Sequence, residues 1–249
     1  MKKFIIFFYI IIFSFSNIYA MQNPFFKNYD TEFEIPPFSK IDSNHFMPAF
    51  LKGIEDHNNE INKIIENFDE PTFKNVIIAL EKSGKILDRV SAVFYNLSGS
   101  TSNKEIQKIE KEISPILTKH YDSISLNPGI FQKIKYLWEK IDKLDLSKEE
   151  IKILEEKYKN FIRNGALLEG SDKKRYSEIN QEISKLSVEF SQNLLTETNN
   201  FEIILTQNDL EGLPEDIITL AKETSEKKYK QTQDRKYKDK YIFTPHRTS

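Results

Sequence analysis

The chain has 249 residues, 39% of them hydrophobic and 30% charged, with no cysteine and a formal net charge of −2. That composition excludes the collagen-like and disordered classes and suits a soluble, helix-rich globular protein of one or two domains. The missing cysteines exclude a disulfide framework, a thiol nucleophile and every Cys-based zinc site, and the near-balanced charge carries no nucleic-acid-like bias.

The first twenty residues, "MKKFIIFFYIIIFSFSNIYA", set Lys2 and Lys3 before an uninterrupted apolar stretch from Phe4 to Phe13, then polar residues and Ala20. This is the order of a secretory signal peptide, and it predicts cleavage near Ala20 and a periplasmic or secreted product. The apolar stretch is well short of the ~20 residues that cross a bilayer, so no stable membrane anchor is expected. Ile18 stands where a small residue is usual before the cut. Translation from Met21 would instead give a cytoplasmic protein with the same body.

Residues 22–42 carry Pro24, Pro36 and Pro37 among aromatics, which predicts an extended arm clipped to helices by Phe25, Phe26, Phe33 and Phe38. From Ser43 the pattern turns helical. Phe46, Phe50, Ile54, His57, Ile61, Ile64 and Phe68 recur at steps of three and four, with Pro48 placed in the first turn. A second helix is expected from Pro71 to "LSGSTSN", with Phe73, Ile77, Leu80, Leu87, Val90, Phe94 and Leu97 as one stripe. A third runs from about Asn103 to Leu126 and holds Pro115, which should bend it.

Asn127-Pro128 starts a fourth helix, and the capping box "SKEE" from Ser147 starts a fifth that ends near Gly165. Ser171 opens a sixth, with Tyr176, Ile179, Ile183, Leu186, Phe190 and Leu194 on one stripe and an end at Asn199-Asn200. Only then does the period change, to a strand at 201–205, a further helix and a strand at 241–243. The expected fold is predominantly all-α, with a short strand–helix–strand unit at the C-terminus and no sheet inside 43–200.

Candidate chemistry is thin. "HNNEI", His57 to Ile61, begins like the zinc motif H-x-x-E-H, but Ile61 stands where the second imidazole belongs. A histidine on an apolar stripe is more often packed and hydrogen-bonded than a ligand. His45, His120 and His246 stand alone in sequence, and neither G-x-S-x-G nor a phosphate-cradling glycine loop occurs. The stretch "KKYKQTQDRKYKDK" interleaves tyrosines with lysines, yet Asp234 and Asp239 interrupt it, which favours a solvated connection over a nucleic-acid surface.

A resemblance adds to this reading. "NPFF", "PPFSKI", "HFMPAFLKGI", "PTFKNVIIALEKSGKILDRVSAVFYNLSGSTSN", "EISPILTKHYDSISLNPGIF", "KNFIRNGALL" and "EISKLSVEFSQNLLTETNNF" follow one another as in the N-terminal part of the thimet oligopeptidase-like (M3) family of zinc metallopeptidases. The stretch "LEKSGKILDRVSAVFYNL" looks more like the peptidyl-dipeptidase branch than like oligopeptidase A. The resemblance runs from Asn23 to the end.

It implies an almost wholly helical fold with two lobes flanking a deep, narrow channel that admits short peptides, and release of C-terminal dipeptides. It also implies one zinc held by H-E-x-x-H and a later glutamate, with the motif glutamate as general base. None of those positions occurs here, so no catalytic or metal residue is expected in this chain and the zinc belongs to the full-length family. The expected organisation is a signal peptide at 1–20, an N-terminal helical region at 21–200, and at 201–249 the start of the catalytic region, cut before the zinc motif. The partners implied are short peptides in the full-length family and a complementary catalytic fragment, with no nucleic acid. The alternative is a non-catalytic helical module that binds peptides or a protein.

Overall fold

The computed structural model describes residues 23–245; Ala20 and the rest of the leader, and His246, lie outside the described residues. The chain divides into two compact units, Met1–Val188 and Glu189–Ser249.

In the first unit, α1 (Ser43–Ile65) opens on a reciprocal cap. The Asp42 carboxylate accepts from the Asn44 N–H at 2.9 Å, and the Asp42 N–H donates to His45 Nδ1 at 3.1 Å. A π-helical segment, Phe73–Ile78, runs into the single turn of α2 (Ala79–Lys82). Then come α3 (Lys85–Ser100), α4 (Lys104–Ser125), α5 (Pro128–Glu139), α6 (Lys148–Arg163) and α7 (Gly170–Asn200). The starts of α4, α5 and α6 fall where the sequence places them because Asn103, Asn127 and Ser147 each accept the orphan N–H groups of the first turn. In the Ser147–Glu150 box both hydrogen bonds form, at 3.2 and 2.9 Å.

Helix α1 feeds two separate cores. Its first half puts Phe46, Ala49 and Phe50 against Leu87, Val90 and Phe94 of α3 and Ile106, Ile113 and Leu117 of α4. Phe94 meets the edges of Phe46 and Phe50 at 5.1 and 5.3 Å between ring centroids, an arrangement favoured by the ring quadrupoles. A Cβ at Gly53 would lie 2.9 Å from the Leu87 backbone, so the glycine is what lets α1 and α3 approach this closely. The second half of α1 puts Ile61 and Ile64 against the π-helical segment (Phe73, Val76, Ile77), α5 (Ile130, Ile134, Leu137) and α6 (Leu154, Phe161). Each such side chain contributes roughly 1.5–3 kcal/mol by leaving water.

The structure departs from the sequence reading at particular residues. The second helix is not continuous: Gly84 adopts a left-handed φ of 76° and separates α2 from α3. Phe68 lies beyond the end of α1 and is 99% exposed, so it leaves the stripe. Pro48 sits inside α1, past the first turn, where its ring removes a helical N–H. In the arm, Phe25 is fully buried and Phe26 packs partly against the first core, but Phe33 is 86% exposed and Phe38 is also exposed. The arm is held by the buried Phe25, by Asn23 Nδ2 donating to the His45 carbonyl at 2.8 Å, and by Arg89 of α3, whose guanidinium donates to the Phe25 and Lys27 carbonyls at 3.1 and 2.7 Å and to Asn28 Oδ1 at 3.0 Å. None of the side chains of α7 is fully buried.

The second unit holds the end of α7, β1 (Ile203–Leu205), α8 (Glu215–Thr232) and β2 (Tyr241–Phe243). The strands pair antiparallel with Ile203 opposite Phe243 and Leu205 opposite Tyr241. A two-stranded sheet is marginal in water; here α8 covers it, and Ala221, Ser225, Tyr237 and Ile242 are buried.

Candidate functional site

His57 stands on α1 between Phe50 and Ile61, at the joint of the two cores. The structure brings to it two residues that the sequence leaves far apart, Ser83 before the Gly84 break and His120 on α4. His57 Nε2 lies 3.1 Å from Ser83 Oγ, and His57 Nδ1 lies 3.0 Å from His120 Nε2. The Gly84 N–H donates to the Glu60 carboxylate at 2.7 Å, so α1 also fixes the break itself. The left-handed Gly84 backbone passes so close that a Cβ would sit 3.0 Å from His57 Nδ1.

The direction of every proton in this chain follows from one contact. Ser83 Oγ lies 2.7 Å from the Leu80 carbonyl oxygen, which can only accept, so the hydroxyl donates there. Ser83 Oγ is then the acceptor for His57, whose Nε2 carries the proton. A neutral His57 has its Nδ1 lone pair free to accept, and His120 Nε2–H fills it. His120 Nδ1 is left as a buried acceptor with no hydrogen-bond partner. Burial, and then the neighbouring His57, hold the His120 imidazole down at about 4. Burial also lowers His57, against the opposing pull of Glu60 and Asp88. Both rings are therefore neutral near pH 7.

A serine beside a histidine suggests a nucleophile and its base, but the protons run the wrong way. His57 donates to Ser83 instead of accepting from it, and Ser83 is buried. A metal does not fit either: the two imidazole nitrogens are joined by a proton, and no three His, Asp or Glu residues among the described residues are placed to hold an ion. What the cluster can do is join three segments, α1, the turn at Ser83–Gly84 and α4. A cleft of about 260 Å³ beside it is lined by Ile61, Tyr121, Lys157, Phe161 and Asn164.

The remaining sequence candidates are structural. His45 caps α1. In the second unit, two lysines of the basic stretch converge on one carboxylate: Glu202 accepts from Lys228 and from the Tyr237 hydroxyl at 3.0 Å, with Lys236 at 3.4 Å. Burial raises the Glu202 carboxyl, but these donors outweigh it and its pKa is lowered. Lys228 and Lys236 also lie over the Tyr237 ring. Asp234 caps the short turn between α8 and β2. The sequence missed Ser83, Gly84 and Glu60 as partners of His57; the "SG" pair inside an apolar stripe was the available signal.

No family model matches the chain. It is 31% identical over 208 residues to dipeptidyl carboxypeptidase of Escherichia coli, a match that covers 83% of this chain and 30% of that protein. It is 29% identical over 200 residues to probable cytosolic oligopeptidase A of Arabidopsis thaliana, covering 78% of this chain and 27% of that one. It is 25% identical over 209 residues to oligopeptidase A of Escherichia coli, covering 84% and 30%. The chain thus spans about 30% of the length of the curated relatives it matches. The chain is predominantly helical and is similar, over a segment of their length, to proteins named dipeptidyl carboxypeptidase and oligopeptidase A.

Proposed function

We propose that the chain is the N-terminal helical region of an exported M3 metallopeptidase that removes C-terminal dipeptides from short peptides, and that it supplies wall and packing rather than chemistry. The observation that carries this reading is the 31% identity to dipeptidyl carboxypeptidase along 83% of the chain. In this reading residues 21–200 are the helical region and residues 201–249 open the catalytic region. Export rests on the order of charge, apolar run and Ala20 in the first twenty residues. The histidine chain is then a clamp that holds the wall in one shape, with no catalytic role. The sequence contains no H-E-x-x-H to hold zinc and activate water, so in this reading the chain by itself is inactive.

The test is a chimera in which residues 23–245 replace the matching segment of the Escherichia coli dipeptidyl carboxypeptidase. Chelator-sensitive release of a dipeptide from a blocked tetrapeptide by the chimera, and none by the 249-residue chain, supports the reading. An inactive but folded chimera, or activity from the chain alone, overturns it. Mass spectrometry of the mature N-terminus checks export: a product that retains Met1 counts against it.

A second reading, a non-catalytic helical binding module, draws on the exposed apolar face of α7. It predicts micromolar binding of an unstructured peptide by the chain alone, which isothermal titration would show.

A further inference from the structure

The second unit holds a cavity of about 360 Å³, walled by α8, the turn that follows it and the start of β2. That is the size of a small-ligand pocket. Two hydrogen bonds fix its frame. The Ser225 hydroxyl, buried on α8, donates to the Tyr237 carbonyl at 2.6 Å, and the Tyr241 hydroxyl donates to Gln207 Oε1. Asp239 adopts a left-handed φ of 55°, which few residues other than glycine take. The turn it makes puts Lys238, Asp239 and Lys240 on the same cavity as Tyr229 and Tyr241.

Both signs of charge line this cavity, and they do not cancel. Lys222 and Glu226 stand four apart on α8. That spacing closes ion pairs elsewhere in the chain, as in Lys52–Asp56 and Lys152–Glu156, each at 2.8 Å. Among the described residues Lys222, Glu226, Lys238 and Asp239 form no ion pair, whereas Lys228 and Lys236 beside them converge on Glu202. Lys240 is shared with Asp209, on whose carboxyl it acts. The cavity thus offers cations at Lys222 and Lys238, anions at Glu226 and Asp239, and the faces of Tyr229 and Tyr241 between them. An inorganic anion would satisfy the lysines and be repelled by the two acids, and an uncharged apolar molecule would bury all four charges without partners. A molecule that carries one group of each sign beside a ring satisfies the whole lining.

We propose that this cavity binds a dipeptide with free termini and an aromatic side chain, its carboxylate held by Lys222 and Lys238 and its ammonium by Glu226 and Asp239. The proposal deepens the peptidase reading above, in which a dipeptide is the product, and rests on it only for the source of the ligand.

The experiment titrates the 249-residue chain at pH 7 with Ala-Phe, N-acetyl-Ala-Phe, Ala-Phe amide and inorganic phosphate, followed by ligand-observed NMR. The efficiency usual for ligands of this size puts the expected Kd of Ala-Phe at about 0.1–1 mM. Blocking either terminus, or substituting Lys222→Gln together with Lys238→Gln, is expected to weaken binding at least about fivefold, while Lys230→Gln outside the cavity changes it by less than about twofold. The blocked peptides are read on the wild-type chain, so the test does not depend on how the variant folds. Absence of saturation by about 10 mM Ala-Phe overturns the proposal. So does equal binding by the double variant, or by either blocked peptide. Phosphate that binds as tightly as Ala-Phe overturns it in favour of a plain anion site. Each of these outcomes leaves the family reading to the activity of the chimera, which decides it separately.

Discussion

His120 has its Nε2–H committed to His57 and its Nδ1 buried without a donor, so a proton added at Nδ1 is both desolvated and unpaired. Protonating His57 instead turns its Nδ1 into a donor that faces the donor on His120. Either event opens the contact between α1 and α4. The folded-state pKa of His120 is about 4 against an ordinary 6.5, so the unfolded chain binds the proton first as pH falls. The stability contributed is complete above about 6.5 and is lost progressively down to about 4, a total of roughly 3 kcal/mol for this group, as the pKa difference implies. Urea midpoints at pH 7, 5.5 and 4.5 should decline, and His120→Phe should flatten that decline. An equal pH slope in the variant would place the acid sensitivity in the carboxylates. At the same joint, Gly84→Ala adds a Cβ 3.0 Å from the His57 ring at a φ of 76°. It should cost about 1–3 kcal/mol in a urea titration at pH 7, because the backbone and the contact are both strained.

At the scale of elements, what the sequence disclosed was local chemistry. Asn103, Asn127 and the Ser147–Glu150 pair mark helix starts by satisfying their own neighbours' N–H groups, so no tertiary information is needed to read them. Ser147→Ala should therefore cost about 1 kcal/mol, read as a shift in thermal midpoint. The break at Gly84 was hidden because Leu80 and Leu87 keep the stripe in phase across it; the extended Ser83 ends α2, and Gly84 with its positive φ, its N–H held by Glu60, starts α3 in a new direction. The arm was half legible for a similar reason. Aromatic residues announced contact, yet which of them is buried depends on Arg89 and its three acceptors, all more than sixty positions away. Arg89→Ala should loosen residues 23–42, and limited proteolysis should then cut the arm while leaving the α1–α6 body intact. The histidine chain was least legible: the distance between His57 and His120 belongs to the packing of α1 against α4, and periodicity shows which face a residue occupies without showing what meets it.

For the molecule as a whole, the informative contrast is between two kinds of apolar residue. Phe94 is fully buried between Phe46 and Phe50, and Phe94→Ala should destabilise the first unit by about 3–5 kcal/mol, through lost transfer free energy and the cavity left behind. Ile183 and Leu186 have the same chemistry but face water, and in the second unit Phe190 and Leu194 are exposed too. Wet apolar groups add nothing to the folded state and supply a surface for association. The double variant Ile183→Glu, Leu186→Glu should accordingly move the urea midpoint by no more than about 0.5 kcal/mol. It should also raise the concentration at which the isolated chain begins to aggregate and lower its binding of a hydrophobic dye. Light scattering and dye fluorescence measure both. A destabilisation of the size expected for Phe94→Ala would show that these two side chains are buried in the chain alone. An unchanged aggregation threshold would place the association surface elsewhere, with Phe201 and Ile203 beside the two-stranded sheet as the next positions to substitute.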